Sequence, residues 1–120
     1  MAVATHNVKA DQGASLEILF RWKDSAGDPV DITGYLARLQ VRVEVADADP
    51  ILDLDNGAKG GITLQEGGDV GLVAIRAAPA VTALWPAPEL AFYDLELEAP
   101  DGTVTRLVQG RFRILAEVTR

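Results

Sequence analysis

Cysteine is absent from the 120 residues, which excludes a disulfide framework, a thiolate nucleophile and a thiolate zinc site. Stability must come from burial and backbone pairing. Long apolar runs are missing too: no stretch approaches the roughly 18 residues of a membrane-spanning helix. Met1 to Asn7 lacks the basic start and apolar run of a secretory signal. The expectation is a soluble protein made in the cytoplasm. Basic residues are few, 11 Lys and Arg against 18 Asp and Glu, and the net charge of -7 repels phosphate backbones and argues against general nucleic-acid binding. The single histidine, His6, lies in a polar terminal segment that offers neither the fixed neighbour nor the pocket a general base needs.

What is present is the profile of a folded domain, with 48% apolar and 24% charged residues. The length suits one domain over residues 1–120, with 1–12 as an amino-terminal arm or edge strand. Leu16, Ile18, Phe20 and Trp22 alternate with Glu17 and Arg21, the period of a half-buried strand. Tyr35 to Val45 carries Leu39, Val41, Val43 and Val45 on one side and Arg38, Gln40, Arg42 and Glu44 on the other, and reads as the longest strand. Short strands follow near 51–54, 62–65 and 70–76, the last two joined across Glu66-Gly67-Gly68-Asp69. One short helical turn is expected near 78–84, opening at Pro79 and stopped by Trp85-Pro86. The sum is an all-β fold, an immunoglobulin-like antiparallel β-sandwich of seven or eight strands, with a closed barrel as the alternative.

The final hairpin, 90–98 against 103–115, fixes its own register. A three-residue loop at Pro100-Asp101-Gly102 pairs Ala99 with Thr103, sets Glu96 opposite Arg106 and Leu95 opposite Leu107. Phe112 and Ile114 then fall on the wrong parity for the core, so a bulge must shift the phase, and Gly110 is the expected place.

Candidate sites are sparse. Asp47, Asp49, Asp53 and Asp55 cluster, but counted from Asp53 the glycine of a helix-loop-helix calcium motif comes one residue early, at Gly57, and position twelve is Leu64. No glycine run cradles a phosphate, and Glu96 and Glu98 share a strand face instead of opposing one another across a cleft. No catalytic residue, metal ligand or cofactor is assigned. Trp85 and Phe92 are candidates for an apolar contact patch, with the alternative that Trp85 plugs one end of the sandwich. Arg111, Arg113 and Arg120, in an arginine-bearing carboxy-terminal stretch, are candidate partner contacts.

Three stretches carry a resemblance: 11–43, with Gln12-Gly13, Trp22-Lys23-Asp24 and the bend Gly27-x-Pro29-x-Asp31-x-Thr33-Gly34-Tyr35; 90–114, with Tyr93-Asp94-Leu95 and Asp101-Gly102; and the terminal AEVTR. Together they resemble small bacteriophage virion proteins that share a β-sandwich with the amino-terminal domain of siphophage upper baseplate proteins. The resemblance implies a non-enzymatic structural component of the virion tail or baseplate, present in several copies around the tail axis. Its partners would be other virion proteins and copies of itself, without nucleic acid or membrane. Because the chain stops about five residues past its last strand, the resemblance suggests an adaptor or accessory component. The alternatives are a carbohydrate-binding sandwich module and a head-surface decoration protein.

Overall fold

A computed structural model describes residues 4–119. Nine strands run in chain order: β1 Ala4–Thr5, β2 Val8–Asp11, β3 Leu16–Arg21, β4 Leu36–Arg42, β5 Leu52–Asp55, β6 Ile62–Leu64, β7 Leu72–Ala77, β8 Glu89–Glu98 and β9 Val104–Leu115. They form two sheets, one in the order β9-β8-β4-β5 with β1 and β2 both along β9, the other in the order β3-β7-β6. This is an all-β sandwich with an immunoglobulin-like strand order, in which β3, β7 and β6 form one layer and β9, β8, β4 and β5 form the other, with the amino-terminal strands along β9. The expected seven or eight strands become eight when β1 and β2 are counted as one strand interrupted at His6-Asn7.

Alternation explains which layer each side chain joins. In β8, Ala91, Tyr93, Leu95 and Leu97 are buried, while Phe92, Asp94, Glu96 and Glu98 are half-buried on the outer face. In β4, Ala37, Leu39 and Val41 face in. From the other sheet come Leu16, Val73, Ile75 and Ile62, so the core lies between the layers. The helical turn, Pro79–Thr82, is where the sequence places it, and Thr82 ties it to the β2–β3 turn by donating to the Ala14 carbonyl at 2.8 Å. A second short turn, a 3-10 helix at Glu66–Gly68, sits in the β6–β7 connection.

The amino-terminal segment is an edge strand, as expected, but it pairs in parallel with β9: Val8 lies opposite Phe112 and Ala10 opposite Ile114. Val8 and Ala10 are buried by this pairing, which is the reason the segment docks. The expected Tyr35–Val45 strand ends early at Arg42, because Glu44 and Asp47 close a turn, with the Asp47 N–H donating to the Glu44 carbonyl at 3.0 Å. Val45 is consequently 72% exposed, outside the core it was assigned to. The longest strands are β9, with 12 residues, and β8, with 10.

The final hairpin follows the derived loop: Ala99 N–H donates to Thr103 at 2.8 Å, and Gly102 takes φ of 92°, a left-handed conformation that favours glycine. Glu96 faces Arg106 as expected. The phase shift comes earlier than Gly110, however. Leu95 pairs with Val108, leaving Leu107 as the extra residue, and both Leu107 and Val108 are buried. Gly110 pairs in register with Tyr93. Its glycine serves a close approach instead: a Cβ there would collide with the His6 carbonyl oxygen and lie 2.9 Å from the His6 carbonyl carbon.

Candidate interaction surface

The outer face of the larger sheet collects the side chains left over by this register. Strand β4 contributes Arg38, Gln40 and Arg42, β8 contributes Phe92, Asp94, Glu96 and Glu98, and β9 contributes Arg106, Gln109 and Arg111. The extra residue in β9 matters here, because it allows Arg106 and Gln109, three positions apart, to stand on one face. A groove of about 610 Å³ runs over this face, with Thr5 and Asn7 at one side and Val45 at the other.

Its charges are held in place. Arg38 reaches Glu96 and Glu98, each at 3.3 Å, and Arg106 Nε lies 3.4 Å from Asp94. Arg42 donates to the Asp47 carbonyl at 2.6 Å and to Gln40 Oε1 at 2.7 Å. Asp94 is the most burdened group: burial raises its pKa above the ordinary carboxylate value, Glu96 adds to the rise, and Arg106 and Arg42 oppose it. Arg111 lies over Phe92, its guanidinium carbon 4.0 Å from the ring centroid. It also donates to the carbonyls of Ala91 at 3.2 Å and Leu90 at 3.1 Å. The guanidinium is therefore pinned at the rim of the groove.

Of the five residues expected at an interface, the structure joins Phe92 and Arg111 in this contact. Arg113 is exposed two residues further along β9, at a second hollow of about 440 Å³ beside Pro88 and Leu90. Arg120 lies outside the described residues. Trp85 does not belong to the surface: it is 3% exposed and meets Phe112 edge to face with centroids 5.5 Å apart. The plug alternative describes it. The two apolar rings named together thus lie on opposite sides of the larger sheet, Trp85 in the core and Phe92 outside.

The acidic stretch is built into turns and ion pairs. Asp47 Oδ2 accepts the Glu44 N–H at 3.0 Å, and Asp53 pairs with Lys59 at 2.6 Å. Asp55 Oδ1 accepts from Gly57, Lys59 and Gly60 between 2.8 and 3.1 Å, which holds its pKa below the usual carboxylate value. Among the described residues no three His, Asp or Glu side chains are grouped to hold a metal ion. His6 packs edge to face on Phe20, and its carbonyl accepts the Tyr93 hydroxyl at 2.5 Å. Sequence reasoning missed Asp94 and Arg42 as interface residues and set Arg106 only as the outward partner of Glu96. Alternation and the hairpin register marked all three as outward, but only the sheet order β9-β8-β4 brings them together.

No protein-family model matches the chain, and no curated protein matches it.

Proposed function

We propose that the protein is a non-enzymatic structural component of a bacteriophage virion, a tail or baseplate adaptor or accessory protein that acts through protein–protein contacts on the outer face of its larger sheet. The observation that carries the reading is the groove itself: a hollow of about 610 Å³ with pinned charges of both signs and the Arg111–Phe92 stack at its rim. Fixed, mixed charge beside an aromatic side chain gives orientation and partner choice to a protein contact. The resemblance to small phage β-sandwich proteins supplies the setting. A carbohydrate platform would use the same groove, but there one face of Phe92 already carries a guanidinium.

The test is mass spectrometry of particles purified from a lysate of the phage that encodes the chain, alongside particles carrying Arg106→Glu. The expected result is the chain in stoichiometric amount in wild-type particles, with the soluble, folded Arg106→Glu protein failing to incorporate. Particles free of the chain, or a glycan array with strong hits that Arg106→Glu abolishes, would overturn the reading.

A further inference from the structure

The smaller sheet ends in a strand with an open side. Strand β3 pairs with β7 and, among the described residues, with no other strand. The parity of that pairing can be read from its ends. Trp22 N–H donates to the Gly71 carbonyl, while Gln65 N–H donates to Leu72 and Arg76 N–H to Gly61 on the other side of β7. The odd-numbered positions of β7 therefore bond to β3 and the even-numbered ones to β6. It follows that Leu16, Ile18 and Phe20 spend their backbone groups on β7, and that those of Glu17, Leu19 and Arg21 point to the open side.

The side chains of these three residues share the outer face, and all three are exposed. Leu19 is 53% exposed on a strand whose other apolar residues face the core. Its flanking charges are opposite in sign and equally spaced. Rotating this strand by a two-fold axis through Leu19 and laying it antiparallel against itself sets Leu19 against Leu19, Glu17 against Arg21 and Arg21 against Glu17. The edge is complementary to its own copy.

We propose that β3 is a self-association edge, at which two copies of this chain pair antiparallel about Leu19 and join their three-stranded sheets into one of six. The other edges do not suit the same partner. Self-pairing of β5 about Leu54 would set Asp53 against Asp55, β6 is only three residues long, and β2 turns only Lys9 and Asp11 outward. Glu17 can turn to the second copy while Arg76 keeps Glu66 through two bonds of 2.8 and 2.9 Å, and Arg21 exchanges its present partner Asp69, a half-exposed carboxylate that water can solvate, for the Glu17 of the second copy. This goes beyond the contacts proposed for the larger sheet, and rests on the functional reading only for its setting in a particle.

The absence of cysteine supplies a clean probe. A directly opposed, hydrogen-bonded antiparallel pair has Cα atoms about 5.5 Å apart, inside the range a disulfide spans. Leu19→Cys should therefore give a covalent dimer under mild oxidant much faster than Leu36→Cys, which exposes a thiol on the other sheet, where the exposure of Leu36 is 56%. In sedimentation velocity, Glu17→Arg and Arg21→Glu should each weaken dimerisation roughly tenfold or more, since each places like charges at two symmetric contacts. Mixing the two variants should restore it. Equal oxidation rates for the two cysteine variants, or failure of the charge reversals to complement one another, would overturn the proposal. The purified chain alone is measured, so either result is separate from membership of a virion.

Discussion

Replacing Gly110 by alanine should detach the first strand while leaving the core in place. Gly110 lies under the interruption between β1 and β2, and an added Cβ has no room beside the His6 carbonyl. Because the obstacle is backbone on both sides, the amino-terminal segment has to lift. Three hydrogen bonds depend on its position: His6 N–H to the Gln109 carbonyl at 3.0 Å, Arg111 N–H to Asn7 Oδ1 at 3.0 Å, and the Tyr93 hydroxyl to the His6 carbonyl at 2.5 Å. At about 1 kcal/mol each their loss costs about 3 kcal/mol. The reduced freedom of the unfolded chain returns about 0.5–1 kcal/mol. The net loss of about 2 kcal/mol corresponds to a fall in Tm of roughly 8 °C for a domain of this size. Thermal and urea unfolding measure the loss, and hydrogen exchange locates it, with the His6 and Arg111 amides exchanging faster while those of β4 hold. Gly57→Ala is the control, since the nearest atom to its added Cβ is Asp55 Oδ1 at 3.7 Å. A Gly110→Ala protein that melts with the wild type and protects His6 equally would refute the close-packed parallel arm.

Three further predictions concern titration and the core. Hydrogen bonds lower the pKa values of Asp31, Asp55, Glu66 and Asp101, from the Thr33 side chain, the Gly57 backbone, the Arg76 side chain and the Thr103 backbone respectively. Their stabilisation is present above the ordinary carboxylate pKa and is lost as pH falls through the lowered values, so urea midpoints should drop in acid. Asp94 has the opposite sign, because burial penalises its ionised form and the penalty lifts as pH falls through its raised pKa. The stability of Asp94→Asn relative to wild type should therefore be more favourable at pH 7 than at pH 3, and a difference independent of pH would count against a buried Asp94. For Trp85, substitution by alanine should cost about 3–5 kcal/mol. Substitution by phenylalanine should cost much less, since the indole N–H is buried without an acceptor among the described residues and its removal relieves about 1–3 kcal/mol. Equal losses for the two variants in urea unfolding would show that the orphaned N–H carries no cost.

Much of the sandwich is legible from parity alone. The faces of β3, β4 and β8, the loop at Pro100-Asp101-Gly102 and the turn at Pro79 all follow from spacing two residues apart and from the conformations open to proline and glycine. The bulge was misplaced because a glycine is the louder signal, whereas the adjacent apolar pair Leu107-Val108 was the informative one. Two neighbouring residues can both face a core only where the ladder slips. The parallel docking of β2 was not readable, because a strand with alternating burial satisfies the same pattern in either direction. The groove was hidden for a related reason: alternation says which residues face out, but strand order decides which of them become neighbours.

The parallel arm has a mechanical consequence. Since β1 and β2 run beside β9 in the same direction, the chain enters this pair at Ala4, opposite Val108, and leaves it at Leu115, opposite Asp11. Tension applied between the amino- and carboxy-terminal segments therefore slides the two strands past each other and loads the whole ladder at once in shear, where an antiparallel hairpin pulled at its open end would unzip one rung at a time. The seam between β9 and the amino-terminal strands is therefore oriented to resist a pull along the line joining its two ends.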